Sequence, residues 1–412
     1  MATKVSPLAP AAPPTLRPVA GVSLATAVSN TRYKGRPDLC LMAFSPGTQL
    51  AGVFTRSLCP SAPVDWCKAI LAGKAAKARA VLVNAGNANA FTGKAGATAV
   101  RALAEAAAKA LGCRARETLH ASTGVIGVPL PHEALAGFLP ALMRDLQADN
   151  WLAAARAIMT TDTYAKGASA TAEIAGVPVT VTGIAKGSGM IAPDMATLLA
   201  FVATDAALPG AMLQALLRKG AEASFNAITV DGDTSTSDTL LLAATGQARH
   251  ARITSAGDPK LRDFKRALAQ VLTELALLVV RDGEGAQKLV TLDISGAASK
   301  AAARRIGLAV ANSPLVKTAI AGADANWGRI VMAVGKAGEK ADRDRLSIKI
   351  GGVEVAAKGA VVPGYDEAPV ARHMQGREIL IEIDVGVGSG KARVWTCDLT
   401  HGYIDINADY RS

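Results

Sequence analysis

The residues with the most chemical potential lie in one stretch, 181–206, VTGIAKGSGMIAPDMATLLAFVATDA. It begins as an apolar strand and breaks at Lys186-Gly187-Ser188-Gly189-Met190. It turns again at Pro193 and re-enters a strand after Thr197. The lysine precedes the glycines, which is the wrong order for a phosphate-binding loop, and no GxGxxG occurs here. A different chemistry fits. A glycine-rich loop and a proline turn deliver a threonine to the first position of a buried strand. A threonine hydroxyl is a weak nucleophile unless a neighbouring group takes its proton. Cutting the Ala196–Thr197 bond would create such a group, an α-amine on the same residue with a reference pKa of about 7.7–8.0. The Thr197 hydroxyl can itself make the cut. It attacks the Ala196 carbonyl, the resulting ester hydrolyses, and a tight turn over 193–196 would strain the bond. The plainer reading is a β-branched residue opening a strand.

Other segments carry polar groups at close spacing. Ser122-Thr123-Gly124-Val125-Ile126-Gly127 can form an oxyanion hole from the Gly124 N–H and the Thr123 hydroxyl, or simply a tight turn. Asn84, Asn87 and Asn89 in 83–90 suit loop ordering and helix capping. Thr160-Thr161-Asp162-Thr163 offers hydroxyls for an amide or carboxylate. The run 229–238, TVDGDTSTSD, suggests calcium, but its glycine is misplaced and no glutamate closes the loop, so it reads as a polar turn. Glu284, between Gly283 and Gly285, either points into a pocket or sits solvated after a helix C-terminus.

Positioning these groups needs a layered scaffold. Apolar periodicity predicts helices over 62–78, 95–111, 132–147, 150–159, 208–222 and 258–280. Strands are expected at 80–84, 177–185, 198–204, 239–245, 288–296, 346–355, 378–386 and 391–400, with the last 60 residues mostly strand. The runs 80–84 and 239–245 look covered on both faces, whereas 346–355 and 378–386 alternate and look half-buried. This mixed order predicts an α/β (α+β) layered sandwich.

The composition is that of a globular chain and not a disordered one. Of 412 residues 50% are hydrophobic, 19% charged and only 4% aromatic, so Ala, Val, Leu and Ile must fill the interior. The first 20 residues are proline-rich and read as a flexible arm rather than an export signal. No apolar run is long enough to span a membrane. Five cysteines without a CxxC point to a reduced, cytoplasmic setting, and five scattered histidines lack metal-ligand spacing. The net charge of +11 is concentrated before Thr197: 19 Lys/Arg and 10 Asp/Glu give +9 for residues 1–196. Those lysines and arginines are scattered and lack stacking aromatics, so nucleic acid is not expected. Solvated helix faces account for the charge, and a basic site for carboxylate-bearing small substrates is the second reading.

Taken together, NAGNANAFTG (84–93), STGVIG (122–127), TTDT (160–163), KGSGMIAPDMATLLAF (186–201), TVDGDTSTSDT (229–239), RDGEGAQK (281–288), the run 311–330 and the ending INADYRS (406–412) closely resemble one family. It is the bifunctional glutamate N-acetyltransferase/ornithine acetyltransferase family of arginine biosynthesis. The resemblance implies self-cleavage between Ala196 and Thr197 into an α chain (21–196 after the arm) and a β chain (197–412). It implies a two-domain sandwich of the ornithine acetyltransferase/DmpA-like type, assembled as an α2β2 heterotetramer. Thr197 would be the nucleophile of a ping-pong transfer. Acetyl passes from N2-acetylornithine to Thr197, ornithine leaves, and glutamate departs as N-acetylglutamate. Thr123 and Gly124 would stabilise the oxyanion; Thr160, Lys186, Thr197, Glu284, Asn407 and Ser412 would contact substrate. No metal or cofactor is implied, with acetyl-CoA a second donor in bifunctional members. The competing reading keeps the nucleophile and ends in water, as in self-processing aminopeptidases of related fold.

Overall fold

The computed structural model describes residues 5–72, 76–192 and 198–408. Three mixed sheets organise it. The first has the order β1 (Val22–Ala27), β2 (Leu39–Phe44), β5 (Ala80–Asn87), β6 (Thr118–Val125), antiparallel except for the parallel β5–β6 pair. The second has the order β4 (Ala76–Lys77), β3 (Gln49–Phe54), β10 (Thr239–Ala244), β9 (Leu199–Thr204), β8 (Val177–Lys186), β7 (Lys166–Ile174). Here β9 and β10 are parallel and their neighbours antiparallel. The third has the order β14 (Ala360–Val361), β13 (Val353–Ala357), β12 (Ser347–Ile350), β15 (Glu378–Asp384), β11 (Leu289–Ala297), β16 (Gly390–Cys397).

The two-residue period of a strand explains the layering. Cys40, Met42, Val81 and Val83 of the first sheet meet Phe201, Ala203, Leu241 and Ala243 of the second in one core. Their alternates Leu39, Leu41, Ala80 and Leu82 pack outward with Leu103 of the helix Gly93–Leu111. On the far side, Ala200, Val202, Leu240 and Leu242 pack with Leu213 and Leu272 of the helices Gly210–Ala223 and Arg262–Arg281. The result is a helix–sheet–sheet–helix sandwich, the layered α/β architecture expected. It also explains why β5 and β10 read as unbroken apolar runs. The third sheet has its own core: Ile348, Ile350, Ile379, Ile381 and Ile383 face Ile306, Val310 and Met374 of helices. The intervening side chains of β12 and β15 are partly or fully exposed, as the alternation predicted.

The segments before and after position 197 are interleaved. The second sheet takes β7 and β8 from one and β9 and β10 from the other, with Lys186 paired to Leu199. Each Leu or Phe buried on those faces contributes about 1.5–3 kcal/mol. A cut at 196/197 would therefore leave the two pieces locked together.

Several expectations are corrected. The strand expected over 346–355 is a hairpin, because Gly351 and Gly352 take φ values of +59° and +83°, which a tight primed turn demands. The helix expected over 132–147 is two short ones, His132–Ala136 and Leu139–Arg144, parted at Gly137 with Pro140 in the first turn of the second. The final 60 residues include the helices Glu367–Met374 and His401–Ala408. Residues 5–20 differ from a flexible arm. Leu8 and Val19 are buried, Ser6 N donates to Thr163 Oγ1 at 3.0 Å and Ser6 Oγ to Arg281 O at 2.6 Å. Ser122 and Thr123 lie within β6 rather than in a turn. Among the described residues no helix is long and apolar enough to cross a membrane.

Candidate active site

One cleft of about 290 Å³ gathers six of the residues singled out above: Thr123, Gly124, Thr160, Lys186, Glu284 and Asn407. Ala196, Thr197 and Ser412 lie outside the described residues. Ile191 and Leu198, which bracket the segment 193–197, both line the cleft. The six come from separate elements. Thr123 and Gly124 end β6, and Lys186 ends β8. Thr160 follows the helix Trp151–Ala157, Glu284 follows Arg262–Arg281, and Asn407 rides on His401–Ala408.

Gly124 is required on two grounds. Its φ is +128°, and a Cβ there would sit 2.3 Å from the Gly86 carbonyl carbon of the neighbouring strand. The asparagine-rich segment beside it holds this strand end in place. Ser122 Oγ donates to Asn84 Oδ1 at 2.6 Å, and Asn84 Nδ2 donates to Asn87 O at 2.8 Å. At the other side Asn407 Nδ2 donates to Glu284 Oε2 at 2.8 Å, so the Glu284 carboxylate faces the pocket rather than solvent.

Beneath the cleft floor lies a buried ionic cluster. Lys166 Nζ bridges Asp162 Oδ1 at 2.6 Å and Asp282 Oδ2 at 2.5 Å, with all three side chains fully buried. Asp162 also accepts from Gly187 N at 2.7 Å and Thr160 N at 2.9 Å, which ties both the KGSG loop and the TTDT turn to one carboxylate. Burial alone would raise the Asp162 pKa, but Lys166 and Lys186 outweigh it and hold the carboxyl below its ordinary range. Asp282 goes the other way, pushed up by burial despite Lys166. Lys186 stands at the edge, 4.0 Å from Asp162 Oδ2 and 3.4 Å from Thr123 Oγ1.

Three of these roles were missed in the sequence. Lys166 and Asp282 meet across 116 residues, and no local spacing signals such a pair. Asp231, set aside in the polar run 229–238, accepts from Met190 N at 2.6 Å and Ile191 N at 2.9 Å. It thereby clamps the loop that leads to position 197, where Met190 takes a φ of +57°.

Lys186 gives a testable titration. Burial lowers its pKa from the lysine value, against the opposing pull of Asp162. The proton is therefore lost below the ordinary lysine value of about 10.4. Any reaction in this cleft that uses the charged Lys186 is expected to slow as pH rises through that lowered value, and Lys186→Met should lose the limb. A variant that keeps the same alkaline limb in its kcat/KM profile would assign the limb to another group.

Comparison with known proteins identifies the family. The ArgJ family model matches residues 23–412. The chain is 58% identical over 408 residues to the arginine biosynthesis bifunctional protein ArgJ of Gluconobacter oxydans, covering 99% of this chain and 96% of that protein. It is 57% identical to the protein of the same name from Brucella suis, over the full length of both. Among solved structures, ArgJ from Bacillus halodurans is 37% identical with a TM-score of 0.49, covering 51% of this chain and 98% of that one. Ornithine acetyltransferase from Mycobacterium tuberculosis, solved with ornithine, is 33% identical with a TM-score of 0.37, covering 43% of this chain and 94% of that one. Matched along nearly its whole length, this chain belongs to the ArgJ family.

Proposed function

We propose that this acetyltransferase of arginine biosynthesis moves acetyl from N2-acetylornithine to glutamate through an acetyl-Thr197 ester, after cutting itself between Ala196 and Thr197. The observation that carries the reading is convergence. Six motif residues, scattered from position 123 to position 407, line one cleft with both flanks of the 193–197 segment. In the first half-reaction the Thr197 hydroxyl attacks the acetyl carbonyl while its α-amine takes the proton. The oxyanion is met by the Gly124 N–H and Thr123. The proton passes to the departing nitrogen, and ornithine leaves. In the second half-reaction the glutamate amine attacks the ester and restores Thr197. Lys186 pairs with a substrate carboxylate and Glu284 with an ammonium. Thr160, Asn407 and Ser412 complete the substrate contacts. The transfer as proposed calls on no metal or cofactor; acetyl-CoA is a second donor only if this chain is a bifunctional member. The two cut chains, one ending at Ala196 and the other spanning 197–412, assemble as an α2β2 heterotetramer in the cytoplasm, a setting that suits five unpaired cysteines.

Thr123→Ala tests the oxyanion role. Because that charge develops only after binding, kcat should fall by about 10²–10³-fold with KM little changed. Steady-state kinetics with N2-acetylornithine and glutamate decide it. A change confined to KM would move Thr123 to ground-state binding. Adding glutamate to the acetyl-enzyme distinguishes transfer from hydrolysis: N-acetylglutamate should form in place of free acetate.

A further inference from the structure

Asp238 lines the same cleft and has no role so far. It immediately precedes β10, which lies parallel to β9 with Thr239 opposite Leu199. Thr239 N donates to Leu198 O at 2.9 Å, so Asp238 is level with Leu198, the residue bonded to Thr197. It is 1% exposed, yet among the described residues neither carboxylate oxygen has a hydrogen-bond partner. The Ser235 and Thr55 hydroxyls, the Leu198 amide and the Lys186 ammonium lie near enough to pull its pKa down, but none makes a well-formed hydrogen bond to it and burial outweighs them. Thr55 Oγ1 instead donates to Ser235 O at 2.7 Å.

The other acids near the cleft are supplied. Asp162 has Lys166, Thr160 N and Gly187 N. Asp231 has the amides of Met190, Ile191 and Asp233. Glu284 has Asn407. A buried carboxylate left without donors is costly, and the deficit is relieved by a group bringing both N–H bonds and positive charge. Burial also pushes the Asp238 pKa well above its usual value, so the empty site favours the neutral acid.

We propose that Asp238 is the counter-ion for a primary ammonium group in this cleft. An ammonium supplies three donors to a single carboxylate, and the bond is charge-assisted. The inference rests on the acetyl-transfer reading, which provides two sources of that group. One is the side-chain ammonium of N2-acetylornithine, which Asp238 would hold together with Glu284 on the same cleft. The other is the α-amine that exists at position 197 only in the cut chain.

The test is the near-isosteric Asp238→Asn, assayed in both directions. N2-acetylornithine is given with glutamate, and N-acetylglutamate, a donor with no ammonium, with ornithine. Wild-type protein is run first; its failure to transfer acetyl would reject the proposed function and not this assignment. If Asp238 holds the substrate ammonium, KM for N2-acetylornithine should rise by about 10–100-fold while KM for N-acetylglutamate stays put. If it holds the freed α-amine, kcat should fall by a similar factor for both donors with KM unchanged. Parameters unchanged for both donors overturn the proposal. Should Asp238→Asn remain uncut, Asp238→Glu restores the charge. Recovery of cutting and transfer supports the assignment, and a folded, uncut, inactive Asp238→Glu overturns it.

Discussion

Thr197→Ala is expected to leave one uncut chain that never carries acetyl. The substitution removes the only hydroxyl that both the self-cleavage and the transfer use, so each should fall by about 10⁴-fold or more. Denaturing intact mass spectrometry before and after a pulse of N2-acetylornithine reads both at once. Wild-type protein should give two chains, the second starting at Thr197 and gaining one acetyl group that glutamate then removes. Native mass should still show the pieces together, because Val181–Lys186 of β8 stay paired with Thr204–Leu199 of β9 across the cut. Thr197→Ser keeps the hydroxyl and should keep both reactions, at reduced rate. A cut or acetylated Thr197→Ala chain would end the nucleophile assignment.

Lys166→Met should be the most damaging change away from the reacting atoms. Lys166 is fully buried between Asp162 and Asp282. Removing it leaves two carboxylates facing each other in a dry interior, and breaking a buried pair in this way costs about 3–5 kcal/mol. At a few degrees per kcal/mol for a chain of this size, the melting temperature should drop by roughly 10 °C. The acid limb of stability follows from the direction of the shifts. Asp162 is held below its ordinary range, so its contribution is present above the unfolded carboxylate value and is lost as pH falls through its lower native value. Without Lys166 that native value should rise, and acid unfolding should begin at higher pH. Asp282, which burial pushes up, acts in the opposite sense and softens the effect. Urea unfolding from neutral to acid pH measures both. A Lys166→Met protein with wild-type stability would show that the cluster can neutralise itself by taking up a proton.

The two predictions depend on different kinds of information. The Thr197 proposal draws on a local signal together with the family resemblance: a lysine, two glycines, a proline and a threonine lie within a dozen residues. The layers were legible from local pattern, since two-residue alternation in 346–355 and unbroken apolar runs in 80–84 and 239–245 report burial directly. Lys166 carried no such signal. A lysine in a strand reads as solvated until the strand is known to lie on a sheet whose far face is covered. Asp231 was set aside because its loop was compared with a calcium site, while its partners are backbone amides, which leave no trace in residue type.

The sequence by itself determined the polar groups on offer, the alternation that layers the sandwich, and the segment proposed to hold the nucleophile. Those properties depend on neighbours within a few positions, where chain geometry is set by covalent bonds and strand or helix period. Only the tertiary structure decided which polar groups share a cleft, which carboxylates are satisfied, and that Asp238 is not. Those outcomes depend on contacts between residues more than 100 positions apart, such as Thr163 and Lys166 with Asp282. Burial and pairing there follow from how the sheets stack, and stacking is a property of the whole fold.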